Sequence, residues 1–332
     1  MLDKPCLTYK NIKMTTNKHW IKSIAQTVRY WISNALTYKT ATYGNIKMTA
    51  NKQVDTQKTM LNEGTAYWMA RIAQSVYQRK EKDGDKTFPD EAGILETLKS
   101  EDDGFLDVKG FSKKSAQGCV IEHQDYLCFG FRGTDEIADW LDNFAVSRES
   151  ALFGEFHSGF WHSTEDLFGD MMKRYRAIRA SAPTDEEGNR LRRPLFITGH
   201  SLGGAMATIT AAHFVYHDLP FMAAYTFGQP RAMTYDTARI FNSWTSNRFY
   251  RFHNNNDLVP RVPGRIMGYS HVGQLIYIKS DGELHNDAGF WLRFLDAIEG
   301  AVEEAGKKGI DGIKDHGMDK YVAAVETWNK QF

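Results

Sequence analysis

The apolar positions along this chain change period repeatedly, and each change marks an element. Between residues 64 and 79, Tyr67, Ile72 and Val76 recur with Ala66, Ala70 and Ala73 at the spacing of an amphipathic helix. The charged stretch 80–86, with Gly84 inside it, reads as a loop. Residues 118–132 read as two strands around a polar turn at 122–125. Leu167, Met171, Tyr175 and Ile178 then share one face of a helix over 166–182, which Pro183 closes. Residues 194–198 form the short apolar run of a buried strand, and residues 205–216 have the length and small-residue content of a helix. Further strands are expected at 222–227, 248–252 and 275–278, and a last helix over 318–328. Strands alternating with helices predict an α/β fold with a mainly parallel central sheet flanked by helices.

The first sixty residues contain a partial duplication. Leu7-Thr8-Tyr9-Lys10 recurs at 36–39, and Asn11-Ile12-Lys13-Met14-Thr15 recurs at 45–49. One further partial copy cannot build a stacked repeat core. Residues 1–54 are therefore expected to form a loosely packed extension, or a tethering arm, ahead of an α/β domain over 55–332.

Composition narrows the partners. Lys+Arg and Asp+Glu are both 41, so the formal net charge is zero, which gives no footprint for nucleic acid. The three cysteines Cys6, Cys119 and Cys128 form no metal-binding pattern, and no metal or organic cofactor is expected. Cys119 and Cys128 flank the 118–132 hairpin, where they either face each other or sit as two small buried residues. No apolar run is long enough for a transmembrane segment. Met1-Leu2-Asp3-Lys4-Pro5 does not open a secretory leader, so the expected location is cytoplasmic, with export by another route as the alternative.

The chemistry concentrates at Gly199-His200-Ser201-Leu202-Gly203, a G-x-S-x-G string lying between a strand and a helix. A serine on so sharp a turn leaves no room for neighbouring side chains, which explains the glycines. The helix N-terminus beside it favours an oxygen that becomes negative, and the Leu202 N–H is placed to donate to that oxyanion. Ser201 needs a base, and the base needs a carboxylate to orient it. After Ser201 the candidate acids are Asp218, Asp236 and Asp257, and the candidate bases are His271, His285 and His316. His200, on the same turn, is expected to point elsewhere and to be structural.

Gly199-His-Ser-Leu-Gly-Gly-Ala205 occurs with Phe131-Arg-Gly-Thr134 and His157-Ser-Gly-Phe160 upstream. Thr226-Phe-Gly-Gln-Pro-Arg231 and Asn255-Asn-Asp-Leu-Val-Pro-Arg-Val-Pro263 follow downstream. In this order the motifs resemble the fungal-type class 3 lipases of the α/β-hydrolase superfamily, over roughly residues 66–328. The resemblance implies Asp257 as the acid and His316, in Asp315-His316, as the base, because the family's histidine at the place of His271 is not the base. It also implies a second oxyanion N–H from Thr134. The segment carrying Ile137, Trp140, Leu141 and Phe144 resembles the family's lid, a helix that covers the site and opens on a lipid interface. A fixed core-packing helix is the other reading. The implied activity is carboxylic-ester hydrolysis, as a triacylglycerol lipase, through a Ser-His-Asp triad and an acyl-enzyme. An esterase of soluble esters, a phospholipase A1 and a feruloyl esterase share that chemistry. A non-catalytic binding protein on the same fold is the alternative of a different class.

Overall fold

The computed structural model describes residues 52–82, 86–142, 145–188, 190–285 and 314–328. The chain divides between Met48 and Thr49, ahead of the boundary expected near Asp55. The duplicated segment lies outside the described residues. Lys52, which sequence reading assigned to the extension, belongs with the second unit. Its carbonyl accepts from Trp68 Nε1 at 2.6 Å, its Nζ donates to the Tyr67 hydroxyl at 2.9 Å, and Val54 packs on the core.

Helix α1 (Glu63–Ser75) starts where the Asn62 side chain caps the Thr65 N–H at 2.9 Å. It ends short of the expected 79, because Arg79–Lys82 turns into strand β1, paired antiparallel with β2 (Lys86–Pro89). This hairpin replaces the loop expected at 80–86. Residues 79–81 are exposed, so no apolar alternation marks the strand. Helix α2 (Glu91–Lys99) and β3 (Phe105–Lys113) come next, followed by the expected hairpin of β4 (Ala116–His123) and β5 (Leu127–Phe131). Cys119 pairs with Gly130 and Cys128 with Ile121, so the two thiols are not opposite each other. Both are free and buried.

Helix α3 (Ile137–Asp142) is only six residues long. Strands β6 (Arg148–Ala151) and β7 (Gly154–His157) lead into α4 (Ser158–Ala180), which begins well before the expected residue 166. The central unit is β8 (Leu195–His200), α5 (Leu202–Tyr216) and β9 (Ala223–Phe227). Then come β10 (Met233–Thr234), α6 (Tyr235–Thr245), β11 (Phe249–Asn254), β12 (Tyr269–Ser270), β13 (Gln274–Ile278), β14 (Leu284–His285) and α7 (Met318–Glu326).

Eight strands form one sheet in the order β14-β13-β11-β9-β8-β5-β4-β3. From β5 to β13 it is parallel, while β3, β4 and β14 add antiparallel edges, so the expected mainly parallel sheet is the middle of a mixed one. Tyr225, Phe227, Tyr250, Phe252 and Ile276 pack with α1 and α7 on one face. Leu127, Phe129, Leu195, Ile197 and Ala224 pack with α4 and α5 on the other. Strands covered on both sides read as continuous apolar runs, as they do in the sequence. Among the described residues no helix is long and apolar enough to cross a membrane. The carboxyl ends of β5, β8, β9 and β11 meet along one edge, where an open α/β sheet leaves its crevice.

Candidate active site

The turn from β8 into α5 is built by backbone crowding. Ser201 takes φ +58° and ψ −129°, a conformation that costs a non-glycine residue about 1–3 kcal/mol. Its N–H donates to the Phe227 carbonyl at 2.9 Å, and its own carbonyl accepts from Gly204 N–H at 2.9 Å. A Cβ on Gly199 would stand 2.2 Å from the Gly203 carbonyl oxygen, and one on Gly203 would stand 2.2 Å from that of Phe131. Both positions therefore exclude every side chain, and the strained serine is locked between them.

The structure joins Asp257 and His316 across 59 positions of sequence. His316 Nδ1 lies 2.8 and 2.9 Å from the two carboxylate oxygens, and both residues are fully buried. An ionised carboxylate only accepts, so Nδ1 carries the proton and Nε2 presents a lone pair. Val259 N–H donates to the same carboxylate at 2.9 Å, and the Tyr321 hydroxyl donates to it at 2.6 Å. Burial pushes the Asp257 carboxyl up. The charge of His316, its hydrogen bond, His253 and Tyr321 outweigh burial and hold it below the usual carboxylate range. It stays ionised, as an orienting acid must.

Gly228 brings this pair to the serine. It follows the Phe227 carbonyl that holds Ser201 and takes φ +57°. A Cβ there would lie 2.8 Å from Asp257 Oδ2 and 2.9 Å from the His316 ring. Ser201 Oγ and His316 Nε2 are both buried and have no hydrogen-bond partner among the described protein atoms. Such a bond commonly tightens only once substrate is bound.

On the other flank, a Cβ at Gly133 would stand 2.9 Å from Ser201 Cβ, so the loop bearing Thr134 passes beside the serine. Thr134 Oγ1 accepts from Glu136 N–H at 3.3 Å, and Asp135 pairs with Arg79 of β1 at 2.6 Å. Leu202, the first residue of α5, follows the serine directly.

The other candidates go elsewhere. His271 is half-buried with Nε2 donating to the Pro260 carbonyl at 2.7 Å, and desolvation, then Arg251 and Arg231, holds it well below the ordinary imidazole range. Asp218 and Asp236 are exposed, and His285 lies 3.6 Å from Glu283. In the expected lid, Ile137 and Leu141 of α3 are half-buried; the side chain of Trp140, and Phe144 altogether, lie outside the described residues. Sequence reading missed Tyr77 and Arg79, and it took His200 as structural, without a partner. Its ring packs on His316, with centroids 4.4 Å apart. No local signal marks Tyr77 or Arg79, whose partners are distant in sequence.

Residues 128–267, which hold the serine, the carboxylate and both flanking loops, match the family described as lipase (class 3). That match spans less than half of the chain, which is thereby similar to the class 3 lipases. It is 28% identical over 184 residues to secreted mono- and diacylglycerol lipase 1 of Fusarium solani, a match covering 54% of this chain and 52% of that one. A phospholipase A1-II 1 of Oryza sativa subsp. indica is 28% identical over 176 residues, covering 48% and 44%. The chain thus spans about half the length of these relatives. The lipase of Rhizopus microsporus var. chinensis superposes with a TM-score of 0.54 at 21% identity, over 72% of this chain and 86% of that one, and shares the α/β-hydrolase fold. One expectation is overturned. The relatives from Fusarium solani and Penicillium cyclopium are named as secreted, which contradicts the cytoplasmic location read from the N-terminus. The first few residues of this chain do not decide its compartment.

Proposed function

We propose that this chain is a class 3 lipase that hydrolyses carboxylic esters of acylglycerols through Ser201, His316 and Asp257. The observation that carries the reading is the strained Ser201 beside Gly228, which packs against the hydrogen-bonded, ionised Asp257–His316 pair. Ser201 Oγ attacks the ester carbonyl carbon as His316 Nε2 takes its proton. Asp257 keeps Nδ1–H oriented and stabilises the imidazolium. The Leu202 and Thr134 N–H groups receive the oxyanion, each such donor contributing roughly 2.7–4 kcal/mol. The tetrahedral intermediate collapses to an acyl-serine, and His316 returns the proton to the departing alcohol oxygen. Water, deprotonated by the same nitrogen, then releases the fatty acid and restores Ser201. None of these steps draws on a metal or organic cofactor.

The relatives' names support partial acylglycerols as substrates and action outside the cell. Ile137, Trp140, Leu141 and Phe144 are proposed to meet the acyl chain or a lipid interface when the lid moves. The short interval between Thr134 and β6, which opens at Arg148, favours a second reading, an esterase of soluble esters, because so compact a lid segment frees little apolar surface. A chromogenic ester series of rising chain length separates the two. An acylglycerol lipase prefers octanoyl to acetyl esters; the reverse preference contradicts the proposal, as does a Ser201→Ala variant with parental activity.

A further inference from the structure

The residue before the nucleophile has both ring nitrogens engaged, in a way the mechanism above does not use. His200 closes β8 and is buried. Its Nε2 lies 2.7 Å from the main-chain carbonyl of His316, and its Nδ1 lies 2.7 Å from the Tyr77 hydroxyl. A carbonyl only accepts, so Nε2 bears the proton. Burial, and then His316, pull the His200 pKa down to about 3, so the ring is neutral and holds that one proton. Nδ1 is therefore a lone pair, and Tyr77 donates to it. Burial keeps the Tyr77 phenol protonated, and the Gly133 N–H donates to the same oxygen.

His316 sits in a short stretch ahead of α7. Other ties of that stretch run to the loop bearing the carboxylate. Asn254 Nδ2 donates to the Asp315 carbonyl at 2.8 Å, and Asn255 Nδ2 donates to the Asp315 carboxylate at 2.9 Å. These bonds fix the base to its acid. The His200 bond fixes it instead to the strand that presents Ser201, and the His200 ring lies against the His316 ring at an interplanar angle of 32°. A neutral ring matters there, because a second positive charge would oppose the imidazolium that forms when His316 takes the serine proton.

We infer that His200 is a positioning residue, whose Nε2–H bond to the His316 carbonyl and ring contact with His316 set the base relative to Ser201. The inference rests on the ester-hydrolase reading above. A reacting group misplaced by about 1 Å loses up to about 100-fold in rate. His200→Phe keeps a ring of similar size and removes both nitrogens. Its kcat is expected to fall by about 30- to 100-fold with KM within about twofold. His200→Gln restores a donor near the Nε2 position and is expected to recover kcat to within about fivefold of the parent.

Proton NMR of the His316 Nδ1–H in its bond to Asp257 reads the same geometry without any ester. The resonance is expected to move in His200→Phe and return in His200→Gln. If no ester is turned over, the function proposal fails while the resonance still tests the positioning. An unmoved resonance with parental kcat in His200→Phe overturns the inference, as does a His200→Gln variant as impaired as His200→Phe. Should His200→Phe not fold, Tyr77→Phe removes the bond that orients the ring. A displaced His316 resonance in that variant supports the inference, and an unmoved one overturns it.

Discussion

The serine turn and the histidine loop meet at the same edge of the sheet but are held in opposite ways. At 199–204 the geometry is set by main-chain crowding, with glycines whose Cβ atoms would stand 2.2 Å from carbonyl oxygens. At 314–317 it is set by side chains: Asn254, Asn255, His200 and Asp257 each reach across from other elements. The first arrangement is main-chain throughout and leaves no room for a side chain at Gly199 or Gly203. The second is spread over the chain, so each contact can be removed singly. On the proposed mechanism, a serine stiffly mounted and a base held by several weaker ties divide rigidity and adjustability between the two partners of one proton transfer.

The sharpest break of this comparison is chemical. Ser201→Ala and His316→Ala are each expected to lower kcat by about 10⁶-fold, because residues that act as a unit fail as a unit. Asp257→Asn is expected to cost about 10⁴-fold, since an amide cannot hold the imidazole in the required tautomer. His271→Ala should leave kcat within about tenfold of the parent, because its ring serves the Pro260 carbonyl. Steady-state kinetics on one ester checks all four.

Stability should separate the regions next. Gly203→Ala drives a methyl into the Phe131 carbonyl and is expected to destabilise the fold by about 3 kcal/mol or more in urea. Asn255→Ala breaks one side-chain bond of the base loop and should cost about 1 kcal/mol, with a kcat loss of about tenfold. If the asparagine change destabilises more than the glycine change, the comparison is wrong.

Acid probes both regions together. His200 and His253 are pulled by burial to about 3, and His271 well below its ordinary value. Unfolded imidazoles take up protons below about pH 6.5 while these stay neutral in the fold, so stability falls as pH drops from there toward 3. Burial also pulls His157 to about 4, so calorimetry at pH 5 in buffers of different ionisation enthalpy is expected to show uptake of about four protons on unfolding, one for each of these rings. No uptake at that pH contradicts the buried neutral rings.

The way each region is held also governs what a sequence reader can see. The serine turn was legible because an apolar strand, G-x-S-x-G and a small-residue helix lie side by side. Asp257 and His316 were singled out only through family motifs, since a contact across 59 positions leaves no periodicity. The ties of Tyr77, Arg79 and His200 stayed hidden because their partners come from other elements. The start of α4 was unreadable for a local reason: Ser158, Gly159, His162 and Ser163 are poor helix formers, so its first two turns depend on tertiary packing. The β1–β2 hairpin was misread as a loop because residues 79–81 of its first strand are exposed.

Covalent trapping reaches the central claim most directly. A fluorophosphonate added to the folded chain is expected to give one adduct by intact mass, on the peptide containing Ser201. Labelling should slow by at least about 100-fold in His316→Ala and remain near parental in His271→Ala. No adduct, an adduct on another residue, or a His316→Ala variant that labels at the parental rate contradicts the account.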